Sequence, residues 1–342
     1  MRSLRYADAE RVPTPTSELA VHTIGLEKVY PDGTVAVEHL DLAVRRSEVF
    51  ALLGPNGAGK STTVGVLTTG IRPTAGHAHV AGVDVVAEPA LARQQIGLVP
   101  QRNTLDRSLS VRDNLIFHGR YFGMRARAAR TMTDALLERM TLAHVANKRV
   151  DDLSGGMAQR LMIARGTMHR PAVLFLDEPT AGLDPQSRIA VHDIVGDLNR
   201  DGQTIMLITH DMQEADVLSH RVAIIDHGRL LALDTPTALK RSVDADTVVT
   251  VSADGDPTAL AAALSSDVAG VRDARPVRTA GRLGDGGHGN AVMFTVRGDH
   301  AILPKVIAAA DRLRLVLREV RIDEPTLETV FIHLTGKELR ES

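Results

Sequence analysis

Residues Gly54-Pro55-Asn56-Gly57-Ala58-Gly59-Lys60-Ser61 fit the pattern G-x-x-x-x-G-K-[ST] and follow directly on the apolar run Val49-Phe50-Ala51-Leu52-Leu53. An apolar run without alternation suits a strand buried on both faces. A glycine-rich turn that joins such a strand to a helix belongs to a mostly parallel sheet covered by helices. The glycines let successive backbone N–H groups turn inward, the helix N-terminus adds its positive end, and Lys60 extends the cradle toward the outer phosphates. Gly54, Asn56, Gly57, Gly59, Lys60, Ser61 and Thr62 are therefore the candidate phosphate-binding set, with Ser61 placed to ligate Mg²⁺.

Two further apolar runs, Ala172 to Leu176 and Thr204 to Ile208, supply neighbouring strands of the same kind. Asp177 and Glu178 close the first of them. In a parallel sheet the ends of these strands share an edge with the phosphate loop. Two acids there can simply cap a strand; beside a phosphate loop, Asp177 becomes a Mg²⁺ carboxylate and Glu178 the residue that polarises an attacking water. From Ser110 to Asn147 the pattern turns helical, with Arg120, Arg125, Arg127 and Arg130 on the surface.

The expected organisation is a polar leader over 1–20, an α/β domain over 21–240 with a helical insertion over about 102–170, and a second domain over 241–342. The second domain reads strand (Thr247 to Ser252), helix (Pro257 to Leu264), strand (Gly270 to Val277), strand (Ala291 to Arg297), helix (His300 to Arg312) and strand (Leu315 to Ile322). That order is ferredoxin-like, an α+β arrangement. Gly281 to Gly289 reads as a mobile hairpin loop, and Leu327, Val330, Phe331 and Leu334 form an apolar stripe on a closing helix from Thr326 to Leu334. The second domain carries no phosphate loop or catalytic constellation, so its role is assembly or regulation.

Several classes are excluded early. A chain of 342 residues with no cysteine has no disulfide, thiolate metal site or thiol chemistry, and fits a reducing compartment. It has no run of about 18 apolar residues, so a membrane span is not expected. A net charge of -2 provides no overall basic field for nucleic acid.

Leu153-Ser154-Gly155-Gly156-Met157, ahead of a helix from about Ala158 to His169, resembles the signature motif of ABC ATPases. Ser154 also reads as a helix cap, which alone does not require Gly155 and Gly156. The resemblance covers about Val21 to Leu239 and implies a phosphate-loop ATPase that binds ATP and Mg²⁺. It also implies that Ser154, Gly155 and Gly156 face the nucleotide held by a second protomer, either another copy or a related chain. Other positions match in order. Tyr30 would stack on adenine, Gln101 would sense Mg²⁺ and the membrane partner, Asp184 in Ala181-Gly182-Leu183-Asp184 would cross to the other protomer, and His210 would hold the γ-phosphate. Met157 departs from the glutamine common in that motif. Together with the tail Glu324 to Gly336 it is similar to the daunorubicin-resistance branch of exporter ATPases.

The family resemblance implies a separate membrane permease, a peripheral position at the cytoplasmic face of the membrane, and efflux of a drug, lipid or other hydrophobic metabolite. Leu109, Val111, Leu115 and Phe117 are candidates for a permease groove, or else pack the core of the helical insertion. A soluble ABC ATPase acting on ribosomes or nucleic acid is the alternative. Such proteins carry two phosphate loops or long heptad insertions, and this sequence has neither.

Overall fold

The computed structural model describes residues 18–243, 247–254, 256–268, 271–279, 289–296, 302–323 and 325–335. The chain divides into two compact units between Pro236 and Thr237. The first unit opens with β1 (Leu19–Val29), β2 (Val35–Arg45), β3 (Val49–Leu53), α1 (Lys60–Leu67), β4 (Ala75–Val80), β5 (Val83–Asp84), α2 (Pro89–Gln94) and β6 (Ile96–Val99). Three longer helices follow, α3 (Val111–Tyr121), α4 (Ala126–Arg139) and α5 (Gly155–Thr167). The unit then alternates through β7 (Val173–Asp177), α6 (Pro185–Arg200), β8 (Thr204–Thr209), α7 (Met212–Leu218), β9 (Arg221–Asp226) and β10 (Arg229–Asp234).

β1 begins at Leu19, so Leu19 and Ala20, assigned from sequence to the leader, are buried strand residues. Their apolar side chains continue the strand rather than a polar tail.

A six-stranded sheet runs β10-β9-β3-β8-β7-β6, and only its edge strand β10 is antiparallel to its neighbour. Every residue of β3 and of β8 is buried, as uninterrupted apolar runs require. A second sheet, β2-β1-β4-β5, is antiparallel. Side chains from both sheets, among them Phe50, Phe175, Leu26 and Leu42, share one core. Each such side chain stabilises the fold by about 1.5–3 kcal/mol when fully buried.

Parallel register sets the site. Leu53 pairs with Thr209, Asp177 with Ile208 and Val99 with Leu176. The chain therefore leaves β3, β6, β7 and β8 at the same edge of the sheet, carrying the phosphate loop, Gln101, Glu178 and His210 respectively.

The second unit contains β11 (Thr247–Asp254), α9 (Pro257–Asp267), β12 (Val271–Thr279), β13 (Gly289–Val296), α10 (Ile302–Arg312), β14 (Val316–Asp323) and α11 (Leu327–Thr335), preceded by α8 (Pro236–Ser242), which spans the division. Its antiparallel sheet runs β12-β13-β11-β14, the ferredoxin-like order. Val249, Val251, Leu260, Leu264, Phe294 and Val306 form its core. Leu327, Val330 and Phe331 of the closing stripe are buried, and Leu334 is half-buried. Residues 1–17 of the expected leader, the expected loop at 281–288, and residues 270, 297, 300, 324 and 336 of the sequence reading lie outside the described residues.

Candidate functional site

The phosphate loop needs its glycines for two separate reasons. Gly57 and Gly59 have φ of 83° and 100°, the left-handed region that side chains rarely adopt. At Gly54 and Gly59 a Cβ would come within 2.3 Å of the Ile225 and Ala36 carbonyl oxygens. Strands β9 and β2 thus press the loop into shape from both sides. Lys60, 7% exposed, folds its ammonium back to donate to the carbonyls of Gly54 at 2.6 Å and Pro55 at 3.1 Å. Burial pushes the Lys60 pKa down, and the neighbouring carboxylates of Glu178 and Asp177 pull it up again. Ser61, on the first turn of α1, is exposed and Thr62 is half-buried.

Asp177 is the last residue of β7 and is half-buried. Burial raises its pKa, the adjacent Glu178 raises it further, and Lys60 opposes both. Glu178 has φ of 51°, and its N–H donates to the Ile208 carbonyl across the gap to β8 at 2.8 Å. This turned backbone lets its side chain meet the next strand end: Glu178 Oε1 and His210 Nδ1 are 2.7 Å apart, with Glu178 9% and His210 51% exposed. The structure thus brings Lys60, Asp177, Glu178 and His210 together.

Tyr30 follows β1, and its hydroxyl lies 3.2 Å from Thr62 Oγ1, which ties the ring to the start of α1. Lys28 places its ammonium 5.2 Å from the centre of that ring, a contact the sequence reading missed. Gln101, just beyond β6, is exposed. Ser154 caps α5, its hydroxyl accepting from the Met157 N–H at 3.3 Å. Asp184 caps α6, accepting from the Ser187 N–H at 2.9 Å and the Ser187 hydroxyl at 2.7 Å, which holds its carboxyl below the usual range.

Gly156 has an internal reason for lacking a side chain, since a Cβ there would stand 2.2 Å from Ser187 Oγ; Gly155 would meet only Leu183 at 3.8 Å. The two capped helix starts are thus packed against each other. Arg165 of α5 donates to the Thr104 carbonyl at 2.6 Å, linking the signature helix to the segment after Gln101.

The sequence reading also missed Glu214. It sits in the first turn of α7 and is 1% exposed, with the Thr180 hydroxyl donating to its Oε1 at 2.8 Å. The spacing Asp211-x-x-Glu214 signals only a capping box.

The proposed groove needs correction. Val111 and Leu115 are fully buried in α3, where helical spacing turns them to the core, and Leu109 is half-buried; of the four only Phe117, 66% exposed, faces outward. An open groove of about 730 Å³ lies close by instead, its walls including Ile96, Leu98, His118, Tyr121, Phe122 and His169.

Residues 37–181 match the family described as ABC transporter. The chain is 40% identical over 324 residues to the daunorubicin resistance ATP-binding protein DrrA3 of Streptomyces coeruleorubidus, covering 95% of this chain and 98% of that protein. It is 37% identical over 325 residues to the Nod factor export ATP-binding protein I of Rhizobium sp. (strain N33), covering 95% and 100%. A dimeric ATP-binding cassette solved in a post-hydrolysis state with ADP and Pi superposes with a TM-score of 0.58 at 25% identity, covering 63% of this chain and 98% of the cassette.

Proposed function

Since the chain belongs to the ABC transporter family, among the ATP-binding proteins of the daunorubicin-resistance branch, we propose that it hydrolyses ATP to drive export of a drug, lipid or other hydrophobic metabolite through a separate membrane permease. One observation carries the ATPase reading: the 2.7 Å pair of Glu178 and His210 stands at the sheet edge where Lys60 closes the phosphate loop. Lys60 exchanges its two loop carbonyls for the outer phosphate oxygens, and the inward N–H groups of the loop bind the rest. The Tyr30 ring supports the adenine.

The oxygen donors Ser61, Asp177 and Gln101 suit a hard cation, and the half-buried Asp177, with a second carboxylate beside it, gains from one. Mg²⁺ keeps several waters and binds through one or two protein oxygens plus substrate phosphates, which this small donor set allows. When bound, Mg²⁺ neutralises charge on the phosphates. Glu178 orients the attacking water and accepts its proton, and His210 holds Glu178 in line while its exposed edge reaches the γ-phosphate.

Ser154, Gly155, Gly156 and Asp184 serve the nucleotide on a second protomer, so each working site is shared by two chains. Among the described residues no helix is long and apolar enough to cross a membrane. The subunit sits at the cytoplasmic face through its permease, whose cytoplasmic segment occupies the groove lined by Leu98, Tyr121 and Phe122. The second unit serves assembly or regulation.

The test is Glu178→Gln. This variant keeps ATP binding, loses hydrolysis by about 10²–10⁴-fold, the usual worth of a general base, and accumulates as a nucleotide-bound dimer in light scattering. Wild-type turnover in the variant refutes the assignment.

A further inference from the structure

Glu214 occupies the third position of α7, after the cap Asp211. A glutamate there ordinarily reaches back to the backbone N–H of the cap residue. In this chain that N–H donates to the Thr209 hydroxyl at 3.0 Å, and Asp211 satisfies the N–H groups of Gln213 and Glu214 with its own carboxylate. Glu214 is therefore free of the capping role and turns inward.

There it accepts the Thr180 hydroxyl at 2.8 Å, with His192 Nε2 of α6 3.6 Å from the same oxygen. Its other oxygen is buried without a hydrogen-bond partner. Burying a carboxylate costs stability unless its partners hold it in place. The chain connectivity around Glu214 shows what the buried carboxylate ties together.

Thr180 lies two residues after Glu178 and opens the turn to Asp184, with the Leu183 N–H donating to the Thr180 carbonyl at 3.2 Å. Glu214 lies four residues after His210. The hydrogen bond between Thr180 and Glu214 therefore closes a ring around the pair of Glu178 and His210: one side runs through Thr180, the other through α7 and its cap. Asp211, which caps that helix, also pairs with Arg188 of α6 at 3.3 Å. Glu178 needs such support, because its φ of 51° is a setting that persists only when the surroundings enforce it.

We propose that Glu214 is a positioning residue for hydrolysis, fixing through Thr180 the loop from Glu178 to Asp184 so that Glu178 and His210 stay in hydrogen-bonding register and Asp184 stays aimed at the second protomer. This rests on the reading of Glu178 as the residue that activates water. Burial raises the Glu214 pKa, against the opposing influence of the Thr209 and Thr180 hydroxyls and His192.

The experiment compares Thr180→Val, Thr180→Ser, Glu214→Ala and Glu214→Gln with the wild-type full chain, and runs Glu178→Gln alongside. Steady-state ATPase gives kcat and KM, and a fluorescent ATP analogue gives nucleotide affinity. Thr180→Val, close in shape to the native residue, and Glu214→Ala are expected to lower kcat about 10- to 100-fold, the effect of misplacing a catalytic group by about 1 Å. KM and nucleotide affinity should stay within about twofold, because Lys60 and the phosphate loop are untouched. Thr180→Ser and Glu214→Gln should recover most of the rate, since each keeps the hydrogen bond. The double variant Thr180→Val/Glu214→Ala should be no slower than the worse single one.

A folded Thr180→Val chain with wild-type kcat, or losses shared equally by kcat and nucleotide affinity, overturns the proposal, as does a Glu214→Gln variant as slow as Glu214→Ala. If Glu178→Gln hydrolyses normally, the reading of Glu178 fails instead. A dead Glu178→Gln beside fully active Thr180 and Glu214 variants removes the positioning role alone.

Discussion

Replacing Gly156 by alanine tests whether the two helix starts that present Ser154 and Asp184 are locked together. The new Cβ would stand 2.2 Å from Ser187 Oγ and 2.7 Å from Ser187 Cβ. The hydroxyl can swing aside by giving up its bond to Asp184 at 2.7 Å. The Ser187 Cβ cannot, because the backbone of α6 fixes it. Reaching the 3.4 Å of ordinary contact therefore moves the helices apart by at least 0.7 Å (3.4 − 2.7). Overpacking of this kind costs about 1–3 kcal/mol, and alanine returns at most about 1 kcal/mol of helix propensity. From the middle of that range, about 2 kcal/mol, the net loss is about 1–2 kcal/mol.

For a unit of this size that loss lowers Tm by about 2–8 °C, read by differential scanning calorimetry on the transition of the first unit. Ser187→Gly removes both colliding atoms, so Gly156→Ala/Ser187→Gly should show a favourable coupling of about 1–3 kcal/mol. A Gly156→Ala chain as stable as wild type, or a strictly additive double variant, would falsify the packing account.

Lys60→Ala should weaken ATP binding about 10- to 100-fold in a fluorescent-analogue titration, because a hydrogen bond to a charged group is worth about 1.5–3 kcal/mol; unchanged affinity would remove Lys60 from the phosphates. Mixing Lys60→Ala with Ser154→Arg chains should restore roughly one intact site per mixed dimer while each variant alone stays inactive, and a mixture as dead as its components would reject shared sites. His118 is pushed down to about 4, first by burial and then by Arg165 and His169. Its folded pKa lies below the ordinary 6.5, so its contribution is present above pH 6.5 and is lost as pH falls from 6.5 toward 4. Urea melts at pH 7.5 and pH 5 should therefore show a smaller acid loss in His118→Gln than in wild type, and parallel losses would contradict the burial account.

The phosphate loop was legible because its chemistry demands a fixed spacing of small residues and one cation, and strands β3, β7 and β8 because double-sided burial leaves no polar alternation. The order β3-β8-β7 was not legible: apolar runs identify central strands without saying which pairs with which. Whether Val111 and Leu115 face a partner or the core was not legible, because an apolar residue in a helical insertion looks the same in either case; the fold buries both. Glu214 was hidden for a different reason. Its place after a cap offers a complete local explanation, and only the tertiary fold shows that Thr209 has taken the hydrogen bond it would have made.

The left-handed backbone of Glu178 sets the demands of durability and turnover against each other at one codon. A residue at φ 51° costs about 1–3 kcal/mol where glycine or asparagine costs less. A population screened only for survival of heating drifts toward glycine or asparagine at this position. A population screened for ATP consumption is driven back to glutamate. Thermostabilised versions of this subunit, however improved elsewhere, must therefore keep their least comfortable residue.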